Sequence, residues 1–423
     1  MAKAAWRACA GLAGLAGLCA PAGEAMGQGS TRGGASFQGI GFVAGGTSSD
    51  ALAVSSDGLV VVGDSVTPAG PRAFRWTGGG GMQSLGVLGA ATSSSARAVS
   101  ANGAVVAGVS GGRAFRWINS TGMVDLGVLP GGVFSVAQGI SGNGQAVVGT
   151  SGSTAGDRAF RWTSFGGMTS LGVLPGGTAS YGFASSADGG SAAGFSLVNG
   201  TPAAFRWTPS GGIKPLGFLP GGTVSQANAM SSSGAFVVGT GNSALGNRAW
   251  RWAGSGGAPG AMLDLGRLAT ATESVARAIS ADGAVVVGTS DTTAGFHAVV
   301  WTASSPMRKL QDVLEEQGID LSGWLLLTAT GVSADGLTIV GTGAGPQGQE
   351  AYLARLPARP CYANCDWSAA GGTPTLDAAD FSCFVTRFMA GDPWANCDGS
   401  TAAPVLTIRD LECFLAKVAA GCS

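Results

Sequence analysis

The sequence predicts an all-β fold, a seven-bladed β-propeller closed by its N-terminal strand, followed by a small α-helical, disulfide-rich C-terminal domain. Three observations carry that expectation. A tight turn ending in Gly recurs seven times between apolar runs, at Asp57-Gly58, Asn102-Gly103, Asn143-Gly144, Asp188-Gly189, Ser233-Gly234, Asp282-Gly283 and Asp335-Gly336. A five-residue run ending in Trp recurs with it, and six cysteines crowd behind the array. Asx-Gly between apolar runs marks a hairpin, because both turn residues must tolerate positive φ.

Each unit holds four strand-like runs, in the third copy Val136–Ser141, Ala146–Ser151, Arg158–Thr163 and Gly167–Leu174. The third run reads RAFRW at Arg72–Trp76, Arg113–Trp117 and Arg158–Trp162, then varies at Ala203–Trp207, Arg248–Trp252 and His297–Trp301. Its tryptophans, Trp76, Trp117, Trp162, Trp207, Trp252 and Trp301, are spaced by 41, 45, 45, 45 and 49 residues. Four strands in about 45 residues is the size of a propeller blade. The array enters with Ser36–Val43, which matches a fourth strand, and leaves with Glu350–Leu356, which matches a third. Pairing the two closes the ring and removes both open edges.

The first run of each unit is rich in small residues (Ala51–Ser55, Ala96–Ser100, Ala276–Ser280), which suits the crowded centre. The second run (Val60–Gly63, Val105–Gly108, Val285–Gly288) is expected to be buried on both faces. In an up-and-down blade the Gly turns share one face with the third-to-fourth-strand turns. The Pro-Gly-Gly links and the second-to-third-strand loops share the other. That second face varies most and is the candidate binding face. Lys309–Gly318, read as a short helix, falls on it.

The chain has 423 residues, 11% of them charged, with a net charge of −1. This gives no reason to expect nucleic acid as a partner. Residues 1–25 read as a signal peptide: Lys3 and Arg7 precede a short apolar run, Ala8–Ala20, too short for a stable membrane anchor. Residues 26–35 are a spacer, 36–358 the array and 359–423 the C-terminal domain. No transmembrane segment is expected in the mature chain.

Little points to catalysis. His297 is the one histidine and fills a repeat position held elsewhere by Arg, Ala or Glu, so it reads as a strand residue at a blade surface. The tryptophans, fixed at one per blade, read as packing between blades rather than as sugar platforms. The arginine pairs flanking each Phe, such as Arg72/Arg75 and Arg158/Arg161, are either solvated or paired with acids of a neighbouring blade. The scattered acids show no repeated pair of the kind a glycosidase needs. The expectation is a non-enzyme.

The Phe-Arg-Trp runs, with Ser280–Gly288 (SADGAVVVG) and its copies, resemble the HAF-type extracellular repeat family. The stretch Asp320–Trp324 followed by Ser333–Gly341 is similar to that family's final unit. The match covers residues 36–357, and Arg replaces the naming His in most copies. The resemblance implies an exported β-repeat protein.

The C-terminal segment is a duplication. Asn364, Asp366, Ser368, Asp377 and Asp380 align with Asn396, Asp398, Ser400, Thr407 and Asp410. Oxygen-bearing side chains at loop positions one, three, five, nine and twelve, followed by a helix, are the calcium-loop pattern of EF-hands. Each loop carries extra residues after its fifth position, and Asp rather than Glu closes it. Calcium is the expected cofactor. Cys361, Cys365, Cys383, Cys397, Cys413 and Cys422 read as a disulfide framework on an exported chain. Duplication suggests a Cys361–Cys422 clasp with each remaining pair inside its own repeat, one of fifteen connectivities. The segment is similar to the GC-type dockerin-like domain of exported bacterial proteins, which implies anchoring to a cohesin-like or other cell-surface partner. The whole chain is expected to be a secreted or surface-bound bacterial propeller that binds or supports, with a glycan as a second candidate ligand. The alternatives are a protein acting on polysaccharide and an adhesin.

Overall fold

The computed structural model describes residues 34–254, 260–302, 305–357, 369–370, 373–374, 378–389 and 407–420. Seven four-stranded antiparallel sheets form the blades of a propeller. The first blade runs through Ser48–Val54, Val60–Thr67, Gly70–Thr77 and Gly81–Gly86, and the next five repeat that order. The seventh takes Leu325–Val332, Thr338–Gly345 and Gly348–Arg355 from one end of the array and Ser36–Gly39 from the other. Ser36 pairs with Arg355 and Gly39 with Tyr352, so the expected closure forms. The entering strand stops at Gly39 rather than Val43. Gly41 has φ 74°, and its amide turns to the Glu350 carboxylate at 2.8 Å.

The Gly turns are built by one buried serine each. Ser141 donates its hydroxyl to Asn143 Oδ1 (2.7 Å), and its Oγ accepts the amide of Ala146 (2.9 Å). Asn143 Oδ1 also accepts the amide of Gln145 (3.0 Å), so serine and Asx together satisfy the turn. Gly144 then sits at φ 70°, and a Cβ there would crowd Val105 of the preceding blade. Beyond the serines a backbone belt runs from blade to blade. Ser56 N–H donates to Ala101, Ala101 to Gly142, Gly142 to Ala187 and Ala187 to Ser232, while Ala281 donates to Ala334 and Ala334 back to Ser56, at 2.8–3.0 Å.

The core lies in the seams between blades. Phe74, Phe115, Phe160, Phe205 and Trp250 have no exposed surface, each beside the glycine of the second strand. Phe160, Trp162 and Met168 of one blade pack on Ala98, Val105 and Ala107 of the blade before it. Trp76 and Trp252 are buried, and the other four tryptophans are half-buried against the same kind of cluster. The fourth strands are shorter than expected. That of the third blade ends at Ser170, because Leu171 and Leu174 leave the sheet and sink into the next seam.

Polar groups lock these seams too. Ser135 Oγ donates to the Gly127 carbonyl (2.6 Å) and accepts the amide of Ala114 (3.0 Å), joining consecutive blades, and Ser94, Ser180, Ser225 and Ser274 do the same at their own seams. The arginines beside each Phe are half-buried and form no ion pair among the described residues. Asp188, its pKa lowered first by its bonds from Ser186 and Gly190, also feels Arg161 of the blade before. Arg75, Arg116, Arg161 and Arg206 donate Nε to the carbonyls of Gly103, Gly144, Gly189 and Gly234 in the following blade. A planar donor suits a carbonyl held at fixed distance, which the backbone provides and a flexible acid would not.

The short helix expected after the sixth blade is α1, Leu310–Glu316, with Leu310 and Leu314 fully buried against Leu321 and Leu326. Behind the array, α2 (Ala378–Met389) and α3 (Ile408–Ala420) meet through Phe384 and Phe414, stacked at 4.2 Å. Among the described residues no helix is long and apolar enough to cross a membrane. The expected leader, residues 1–25, and nearly all of the spacer lie outside the described residues.

Candidate ligand-binding funnel

Every innermost strand carries a register break. It falls between Ala51 and Ala53, Ala96 and Ala98, Ala137 and Gly139, Gly182 and Ala184, Ala227 and Ala229, Ala276 and Ala278, and Ala329 and Gly331. The residue left unpaired is Leu52, Arg97, Gln138, Phe183, Asn228, Arg277 or Thr330, each three positions before the turn serine. A bulge re-aims the side chain it carries. All seven are half-buried or exposed, although the residue four before the serine is buried in every blade.

The repeated glycine of the second strand exists for this bulge. A Cβ on Gly63 would overlap the Asp50 carbonyl oxygen, and one on Gly149 that of Val136. The same holds at Gly108, Gly194, Gly239, Gly288 and Gly341. The glycine thus makes room for the bulging strand, and in six blades an aromatic ring stands opposite it, Val299 taking that place in the sixth.

At three of the seams a bulged residue reaches across to the next blade. Arg97 donates Nη1 to Gln138 Oε1 (3.0 Å), Asn228 donates to the Ala276 carbonyl (2.8 Å) and Thr330 to the Ala51 carbonyl (2.7 Å). Two residues earlier, nearer the link face, stand Asp50, Ser95, Val136, Tyr181, Gln226, Val275 and Thr328, all half-buried. Two residues later stand Val54, Val99, Ile140, Ser185, Met230, Ile279 and Val332, which with the residue after each turn serine line a cavity of about 130 Å³. This axial wall, termed the funnel, runs from the variable face to the backbone belt, where the cavity lies.

Its polar groups are held in place. Asp50 accepts from Thr342 Oγ1 (2.8 Å) and Gln349 Nε2 (2.8 and 3.0 Å). Asp64 accepts from Ser95 Oγ (2.7 Å), and burial raises its pKa above the ordinary carboxylate value. Burial lowers the pKa of Arg97 and of Arg277, with Asp64 and Glu273 respectively opposing the shift. Tyr181 stacks on Phe195 at 4.8 Å, Phe183 stacks on the same ring at 5.8 Å, and the Tyr181 hydroxyl reaches Asp157 at 3.1 Å. Burial, then Asp157, raises the tyrosine pKa. The sequence reading treated these strands as small-residue fillers and missed the funnel. The signal lies in the inner-strand positions three and five before the serine, which never settle on a residue type.

His297 is buried rather than at a blade surface. Its Nε2 lies 3.1 Å from Thr292 Oγ1, and burial, then Lys309, lowers its pKa. Among the described residues no three His, Cys, Asp or Glu side chains gather as metal ligands. Of the expected calcium ligands, Asp380 lies on α2, and Thr407 and Asp410 meet at the start of α3. There the buried Asp410 accepts the Thr407 amide at 2.7 Å, a cap on the first turn. Asn364, Asp366, Ser368, Asp377, Asn396, Asp398 and Ser400 lie outside the described residues, as do Cys361, Cys365, Cys397 and Cys422. Cys383 lies on α2, and Cys413, on α3, is disulfide-bonded.

No protein-family model matches the chain, and no curated protein sequence does. Solved structures share its fold. An oligogalacturonate lyase from Vibrio parahaemolyticus superposes with a TM-score of 0.53 at 9% identity, over 77% of this chain and 97% of that one. An oligogalacturonate lyase in complex with manganese gives 0.50 at 12%, over 72% and 88%. A TolB from Acinetobacter baumannii gives 0.41 at 12%, over 72% and 66%. At these identities the likeness is one of fold. It nevertheless corrects the expectation of a non-enzyme, because two of these propellers are lyases. Neither the architecture nor the absence of a repeated acid pair excludes catalysis.

Proposed function

We propose that this chain is an exported ligand-binding propeller whose site is the axial funnel, held to a surface partner by its C-terminal domain. The observation that carries the reading is the set of seven bulges, which present seven side chains of mixed chemistry on an otherwise repetitive wall. A purely structural ring would not need Arg, Gln, Phe, Asn and Thr at equivalent places. The tethering part rests on the duplicated acidic loops and the cysteine framework. In it, calcium bound by the loop acids would order each loop ahead of its helix.

Full-length protein incubated with envelope extract, in calcium and in chelator, tests both parts. A variant carrying Asp366→Ala and Asp398→Ala is expected to lose its surface partner, and Asn228→Trp, which fills the funnel, to lose only the small ligand. Partner capture that is unchanged by the acid substitutions and by chelator would sink the tether. A second reading, action on a polysaccharide, is favoured by the aromatic wall of Tyr181, Phe195 and Phe183 and by the fold shared with the lyases. The release of new chain ends from a uronic-acid polymer, abolished by Asn228→Trp, would establish it.

A further inference from the structure

The charges in the funnel indicate the class of ligand, on the assumption that the funnel is the site. At the bulged ring the only formal charges are two cations, Arg97 in the second blade and Arg277 in the sixth, three blade steps apart by the shorter way round. Neither is in an ion pair: among the described residues the ion pairs are Arg113 with Asp125 and Arg308 with Glu316. Arg97 Nε is buried without an acceptor, and Arg277 spends its Nε on Thr289 Oγ1 at 3.2 Å. Asp50 is engaged by Thr342 and Gln349 and Asp64 by Ser95, while Glu273 lies near enough to Arg277 to act on its charge without forming an ion pair.

The Arg97 Nε, kept from water without an acceptor, is costly, and a ligand oxyanion would relieve it, while Arg277 is exposed and open to a ligand from solvent. Between the two arginines, on one side of the ring, lie Gln138, Phe183 and Asn228. Side-chain amides suit hydroxyl groups, and an aromatic face suits the C–H face of a sugar ring. Separated single cations fit carboxylates carried on successive residues of a chain. A polyphosphate would call for a clustered cradle of backbone amides, which this wall lacks among the described residues.

We infer that the funnel binds a carboxylate-bearing oligosaccharide, with its carboxylates on Arg97 and Arg277 and a ring face against the Phe183 and Tyr181 wall. Calorimetry on the full chain tests this with four probes: tetragalacturonate, its methyl ester, a neutral galactose tetramer and ADP. The acid is expected to bind, and rising salt to weaken it. The ester is expected to bind at least about tenfold more weakly, as losing charged hydrogen bonds requires. Arg97→Gln and Arg277→Gln should each weaken the acid by a similar factor and flatten the salt dependence, whereas the exposed Lys214→Gln should leave it unchanged. Equal binding of acid and ester, preference for ADP, or no binding of any saccharide by the unaltered protein would overturn the inference. Only binding that also survives Asn228→Trp would place the site elsewhere and overturn the funnel reading with it.

Discussion

Replacing Ser135 by Ala should loosen one seam of the propeller without changing its shape. The hydroxyl has no exposed surface and makes two bonds across the seam, to the Gly127 carbonyl and from the Ala114 amide. Ala114 is itself fully buried, so its N–H would have no partner once the oxygen is gone. An orphaned buried donor costs about 1–3 kcal/mol, and the lost bond to Gly127 about 1 kcal/mol more. The expected destabilisation is therefore about 2–4 kcal/mol, read as a lower urea midpoint with an unchanged slope. Ser135→Cys keeps the volume but offers only a weak acceptor and should fall between the two. Ser120→Ala, exposed in a turn, should change stability by less than about 0.5 kcal/mol. A loss at Ser135 no larger than at Ser120 would refute the idea that hydroxyl–backbone bonds hold the blades together.

Other substitutions probe the remaining features. Gly149→Ala should destabilise the third blade severely, because its methyl would overlap the Val136 carbonyl, and thermal unfolding of that variant decides the matter. Phe37→Ala should weaken ring closure by about 3 kcal/mol or more, since Phe37 packs on Trp324 at 4.9 Å and on Tyr352 at 5.6 Å; limited proteolysis would show cleavage beginning near residue 36. Val299→Phe places opposite Gly288 the aromatic ring that the other six blades carry there and fills a small void beside Val286 and Met307. It should raise stability by about 1 kcal/mol. Asp64, whose folded pKa is raised by burial, disfavours folding at neutral pH, and that penalty disappears as pH falls through its raised value towards the ordinary 3.8. Asp64→Asn should therefore be stabilising at neutral pH, with an advantage that shrinks in acid. An advantage that grows in acid would contradict this assignment.

The blades were legible because the hairpin turns and the Phe-Trp runs answer to local rules that repeat with each copy. Ring closure was legible from the mismatch between Ser36–Val43 and Glu350–Leu356 at the two ends of the array. The seam bonds were not. Ser94 and Ser135 look like ordinary strand serines until the neighbouring blade is in place, since both their partners lie in other strands. The arginine contacts were hidden for a related reason: a backbone carbonyl leaves no mark in sequence, so Gly103 could not be foreseen as the acceptor for Arg75. The funnel was obscured by averaging. Against seven copies of an Ala-rich strand, Arg97 and Arg277 looked like noise, and only the bulge shows that the varying position faces the axis.

The pairing of Ser36 with Arg355 also sets a timetable. Six blades can assemble from neighbouring stretches of chain as these emerge, but the seventh waits for a segment made first to meet one made last. Until then the early strand and the inner blade edges stay unsatisfied, and the ring is an open arc prone to pairing with other chains. A chain threaded through a membrane from its front end would thus stay unlatched until almost all of the array has crossed. Its final shape would then be acquired on the far side.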